Sequence, residues 1–69
     1  MEIIYSDHAR KRMRQRGVTE LEVRHVLAYS RYVKKSFEGR KLAEGSANGR
    51  VIRISFIETE NFIKIITVM

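Results

Sequence analysis

Five cations, Arg10, Lys11, Arg12, Arg14 and Arg16, fall within seven consecutive positions, and no acidic residue stands between His8 and Thr19. On a helix, like charges at i, i+4 spacing cost about a few tenths of a kcal/mol each. A bound anion would offset that cost. His8, Arg12 and Arg16 are spaced four apart, so each is rotated only about 40° from the last. They form one stripe beside the apolar pair Ala9 and Met13. One imidazole and two guanidiniums would then sit at the margin between core and solvent. The planar guanidinium fork grips two phosphate oxygens at once. A neutral imidazole nearby can take the proton of a ribose 2′-hydroxyl. The chemistry such a stripe would carry is metal-independent RNA transesterification, with His8 as base or acid and Arg12 and Arg16 on the phosphate. The bland alternative stays open. A histidine in a first helical turn is more often a local cap, and the arginines read equally well as a solvated face paired with Glu20 or Glu22.

Other residues could contribute. Thr67 is a hydroxyl expected on the core-facing side of the last strand, where it would orient a phosphate or the histidine, or simply pack. Arg10 extends the basic run, and Arg53 and Lys64, expected on adjacent strands of an open sheet face, could track a nucleic-acid backbone. Late in the second helix, His25 reads as structural. With no cysteine and only two histidines, far apart in the chain, no zinc site is expected. The carboxylates do not cluster, so a two-metal nuclease centre is not expected either. Neither a glycine-rich phosphate loop nor a nucleophile elbow is present. No cofactor is implied.

The elements that must position these residues follow from local signals. Glu2 to Tyr5 is a short apolar lead, long enough only for an edge strand. Ser6 and Asp7 supply N-cap chemistry, a helix runs from about Asp7 to Arg16, and Gly17 suits its left-handed C-terminal position. Thr19 and Glu22 have capping-box spacing, with Val18 and Val23 placed as a hydrophobic staple. Val23, Val26 and Leu27 make the buried stripe of a second helix, ending near Ala28 to Ser30. Tyr32, Val33 and Phe37 are β-formers, but Lys34, Lys35 and Ser36 keep any strand there short. Residues 40 to 47 could pair weakly. Asn48-Gly49 tolerates the positive φ of a type I′ hairpin turn. Between Arg50 and Glu58, Ile52, Ile54 and Phe56 alternate with Val51, Arg53, Ser55 and Ile57. After a turn at Thr59 to Asn61, the last strand spans Phe62 to Val68, with Ile63, Ile65 and Thr67 expected on one face. The expectation is an α+β domain, with two N-terminal helices packed on one face of a three- to four-stranded antiparallel β-meander.

Sixty-nine residues make one domain with one core. Fourteen Lys and Arg against eight Asp and Glu leave a formal charge of +6, which attracts nucleic acid above all through counterion release. The sequence contains neither a signal-peptide core nor a membrane-length apolar run, so a soluble, cytoplasmic domain is expected.

The segment from Ser6 to Thr19 resembles the opening of the domain-of-unknown-function 4258 family. That opening begins with a histidine and reads H-A-x-x-R-M-x-x-R-G-[IV]-[ST], matched here from His8 to Thr19. It leads into an E-V-x-x-V-L helix core, here Glu22, Val23, Val26 and Leu27. The closing Ile65-Ile66-Thr67-Val68 resembles the family's I-I-T-V ending, whereas residues 31 to 48 match loosely. The family is similar to small toxins of the RelE, ParE and BrnT kind and to the wider barnase, colicin and EndoU ribonuclease group. The resemblance implies two helices on an antiparallel sheet, RNA cleavage on free or ribosome-associated RNA, and an acidic antitoxin partner. By motif position it carries over His8, Arg12, Arg16 and Thr67.

Two other readings compete. A non-catalytic module would hold RNA or an acidic protein with the same basic face. A helix-turn-helix-like DNA binder would use Gly17-Val18-Thr19 as its turn, but its recognition helix would carry only one permanent cation, Arg24.

Overall fold

In the computed structural model, which describes residues 2–69, the chain runs β1 (Glu2–Tyr5), α1 (Asp7–Arg16), α2 (Glu20–Ala28), β2 (Tyr32–Lys35), β3 (Lys41–Ala47), β4 (Arg50–Glu58) and β5 (Phe62–Val68), with a 3₁₀ turn at Phe37–Gly39 before β3. Both helices start and stop where their local chemistry dictates. The Ser6 hydroxyl caps α1 by accepting from the Ala9 amide at 3.0 Å. Gly17, at φ 65°, ends α1 in the left-handed region, and the Val18 amide reaches back to the Met13 carbonyl at 2.9 Å. These two features make a Schellman-type stop. Thr19 and Glu22 complete a reciprocal capping box on α2, and Val18 and Val23 are both buried.

The strands form one five-stranded sheet in the order β1-β5-β4-β3-β2. The sheet is therefore larger than the expected three or four strands, and it is mixed. β1 pairs parallel with β5, from Glu2 opposite Phe62 to Tyr5 opposite Ile65, while all other pairs are antiparallel. The apolar lead is an edge strand, as its length allowed, and what its sequence did not announce is the parallel pairing. The fold thus begins with a strand, and the helices form the connection that follows it. At the hairpin between β3 and β4, Asn48 and Gly49 take φ of 51° and 80°, as a type I′ turn requires.

One core gathers Tyr5, Ala9 and Met13 with Val18, Val23 and Val26, and sets them against Ala43, Ala47, Ile52, Ile54, Phe56, Ile65 and Val68. Gly45 lets α2 come close to β3, since a Cβ there would lie 3.3 Å from both the Ser30 Cα and a Val26 methyl.

β5 contains a feature that simple alternation misses. Ser55 pairs with Thr67 but Phe56 pairs with Ile65, so Ile66 is an extra residue, a β-bulge. The bulge reverses the side-chain parity for the rest of the strand. Val68 is fully buried opposite Ile54, and Thr67 lies opposite Ser55, on the side away from the core. The expected core-facing position of Thr67 is thereby corrected. Ser6 holds the bulge in place: its amide donates to the Ile65 carbonyl at 3.0 Å and its hydroxyl to the Ile66 carbonyl at 2.9 Å.

Candidate nucleic-acid interface

The core seam of α1, through Ala9 and Met13, divides its polar surface into two flanks. On one flank His8, Lys11, Arg12 and Gln15 line a shallow recess of about 140 Å³. His8 is exposed there and Arg12 is half-buried. Their i, i+4 spacing brings the imidazole and one guanidinium together, with Lys11 and Gln15 one helical step outward. Arg16 is exposed and does not line this recess. Eight residues from His8 it stands about 12 Å along the helix axis, beyond the reach of a single phosphate held at the imidazole.

The other flank carries Arg10 and Arg14. With Met13, Gly17, Val18, Thr19 and Glu20 they line a groove of about 490 Å³ between α1 and α2. The Arg10 guanidinium lies over the Tyr5 ring, 5.3 Å from its centroid. Arg10 and His8 therefore belong to opposite sides of the helix rather than to one patch.

None of the five α1 cations makes an ion pair among the described residues. The ion pairs present are Arg40 with Glu38, Lys41 with Glu58, Arg50 with Glu22 and Arg53 with Glu44. Arg53, expected to be available to a nucleic acid, donates to Glu44 at 2.7 Å, and that bond holds the Glu44 carboxyl below its ordinary range. Lys64 is exposed and opposite Ile57. Ile57 is four positions along β4 from Arg53, so the two cations lie about 13 Å apart along the strand. Thr67, half-buried on the sheet face away from the core, is not brought to the His8 recess by the strand that carries it.

The strongest polar network lies elsewhere. Glu22, buried within α2's first turn, accepts from the Thr19 amide at 2.9 Å, from the Asn48 side chain at 3.0 Å and from Arg50 at 3.2 Å. These bonds, the Thr19 amide first and Asn48 next, hold its carboxyl down at about 2. Arg50 also donates to the Arg16 and Gly17 carbonyls, at 2.8 and 2.6 Å. One guanidinium thereby ties the end of α1, the start of α2 and the β3–β4 hairpin together. Residue types and spacing gave no warning of the Arg50 contact. The only local signal was a capping-box glutamate placed to be covered by the hairpin.

Among the described residues no helix is long and apolar enough to cross a membrane, and no three His, Asp or Glu side chains gather as a metal site. No curated protein and no solved structure matches the chain. The family described as Domain of unknown function (DUF4258) matches residues 5–69, and the chain belongs to that family.

Proposed function

We propose that this domain binds RNA along α1 and cleaves it without a metal ion, in the manner of a small toxin-like endoribonuclease. The observation that carries the reading is the unpaired cation array of α1, five side chains with no carboxylate partner among the described residues, running past an exposed histidine. A polyanion is the ligand that relieves such an array. In the recess, Arg12 and Lys11 would hold the non-bridging oxygens of a phosphodiester. His8 would take the proton of the adjacent 2′-hydroxyl as its oxygen attacks phosphorus. The bond from phosphorus to the 5′-oxygen breaks, and that oxygen takes a proton from solvent at the open recess. The products are a 2′,3′-cyclic phosphate end and a 5′-hydroxyl end. The family's similarity to RelE-, ParE- and BrnT-type toxins supports the same activity. It supports as well a cytoplasmic setting and an acidic antitoxin that covers the basic helix.

A second reading is favoured by one observation. Among the described residues that line the recess, His8 is the one imidazole or carboxyl group, and no second such group stands opposite it as a partner acid. On this reading the domain binds RNA and performs no chemistry. Helix-turn-helix DNA binding has less support, since the exposed residues of α2 are Glu20, Leu21, Arg24, His25 and Ala28, and Arg24 alone among them is a permanent cation.

The test is purified protein incubated with total RNA in the presence of chelator, beside His8→Ala. New cyclic-phosphate ends with the wild type and none with the variant would establish the enzyme. RNA binding without new ends would establish the module.

A further inference from the structure

We infer that the groove between α1 and α2 is a nucleobase subsite that selects guanine through Glu20. The inference rests on the RNA-binding reading above and adds to it which base is read, and where.

The groove has the size and lining of a ligand site. Its volume of about 490 Å³ lies within the range of about 300–1,000 Å³ usual for small-molecule pockets. The His8 recess is smaller, about 140 Å³, and every residue that lines it is polar. Met13 and Val18 supply a buried apolar floor. Arg10, whose guanidinium lies over the Tyr5 ring, and Arg14, one turn on along α1, line the wall, and RNA bases stack on guanidinium planes as well as on aromatic rings.

The groove also contains a charge of the wrong sign for a simple anion site. Glu20 lines it together with Arg10 and Arg14, yet makes no ion pair among the described residues. A carboxylate disfavours phosphate and disfavours an acidic protein segment. It suits a ligand that offers hydrogen-bond donors beside an anionic backbone. Both oxygens of a carboxylate accept, so the best match is a pair of adjacent N–H donors. Among the RNA bases only guanine places two neighbouring donors, N1–H and the 2-amino group, on its Watson–Crick edge. Adenine, cytosine and uracil each offer one donor position there. Single-stranded RNA exposes that edge when a base is splayed from its stack.

The two flanks of α1 then have separate tasks. The recess at His8 and Arg12 takes the phosphodiester, and the groove across the helix takes a neighbouring base. A helix is about 10–12 Å wide with its side chains, so a strand crossing α1 meets the Lys11–Gln15 ridge between the two.

The test uses fluorescence anisotropy with the intact chain and labelled heptauridines carrying a central guanosine, inosine or adenosine. Wild-type protein is expected to bind the guanosine strand about tenfold more tightly than the adenosine strand, the order of effect of one bidentate base contact. Inosine, which lacks the 2-amino group, should fall between them. In Glu20→Gln the guanosine and adenosine strands should bind within about twofold of each other. The adenosine strand should bind that variant slightly more tightly, because a negative charge has left the path of a polyanion, while the guanosine strand binds several-fold more weakly for want of the bidentate contact. A purely electrostatic role for Glu20 would shift every strand equally and leave the ratio untouched, and that result overturns the assignment. Equal wild-type affinity for all three strands overturns the subsite while leaving RNA binding in place. If no strand binds, the RNA reading falls and the subsite with it.

Discussion

The fold treats the cations of the sheet and those of α1 in opposite ways. On the sheet, Arg53 meets Glu44 directly opposite in register, Lys41 reaches Glu58, and Arg50 is held by Glu22. These cations are committed to architecture, and as exposed pairs Arg53 and Lys41 contribute little to it. On α1, five cations crowd one short helix whose single acid, Asp7 in the first turn, pairs with none of them among the described residues. An ordinary solubilising surface mixes the signs, and the sheet does so while α1 does not. The difference makes α1 the densest run of unpaired cations, beside the one exposed histidine of that helix, although Lys34, Lys35 and Lys64 on the sheet also make no ion pair among the described residues.

The sharpest way to break this comparison is at the histidine. His8→Ala should lower cleavage by about 10²–10⁴-fold, the usual contribution of a general acid or base, with RNA affinity nearly unchanged. Cleavage equal to wild type, read as cyclic-phosphate ends, would remove the catalytic role. Next comes the cation array. Changing Lys11, Arg12 and Arg14 together to Gln should make the logarithmic salt dependence of RNA binding shallower by about 2, at roughly 0.7 for each single-strand phosphate no longer neutralised. A matched change of Lys41 and Arg53 to Gln should leave that slope alone. If the two sets shift it equally, the distinction between working and architectural cations fails.

Stability experiments sharpen the other side. Ser6→Ala removes the cap on α1 and the tie to the bulge together, and should cost about 1–2 kcal/mol in urea denaturation. A change within error would mean that the cap is idle. A further effect should appear in the pH dependence of Glu22→Gln. The Glu22 carboxyl is lowered from an ordinary 4.5 to about 2 in the folded chain. Its contribution is therefore complete above pH 4.5 and is lost as the pH falls toward 2. The wild-type melting temperature should drop across that window more steeply than the variant's. Parallel curves would place acid sensitivity at another carboxylate.

How much was legible in the sequence depends on how far each signal reaches. Ser6, Gly17, Thr19 and Glu22 act within one helical turn, and both helices stand where those residues put them. Asn48-Gly49 is similarly local, as is the i, i+4 step that unites His8 with Arg12. The misses are all long-range. β1 finds its partner some sixty positions away, so four residues with weak propensity gave no hint of a parallel pair. The bulge at Ile66 is fixed by Ser6 from the far end of the chain, so alternation along β5 put Thr67 on the wrong face. Arg53 looked available because Glu44 is its neighbour only across a strand pair. The α1–α2 groove escaped notice because the Arg10 and Glu20 that share it lie on different helices.

The place of β5 in the sheet has a kinetic consequence. β5 is the last strand in chain order, yet it lies between β1 and β4 and carries Ile65 and Val68 into the core. During synthesis, β1 and α1 emerge early and must wait for the strand against which they dock. Contacts of such large sequence separation form late because the intervening chain must first be closed into a loop. On a growing chain the cationic helix is untethered until β5 arrives, so the fixed spacing of its two flanks is a property of the finished domain and is withheld from the nascent one.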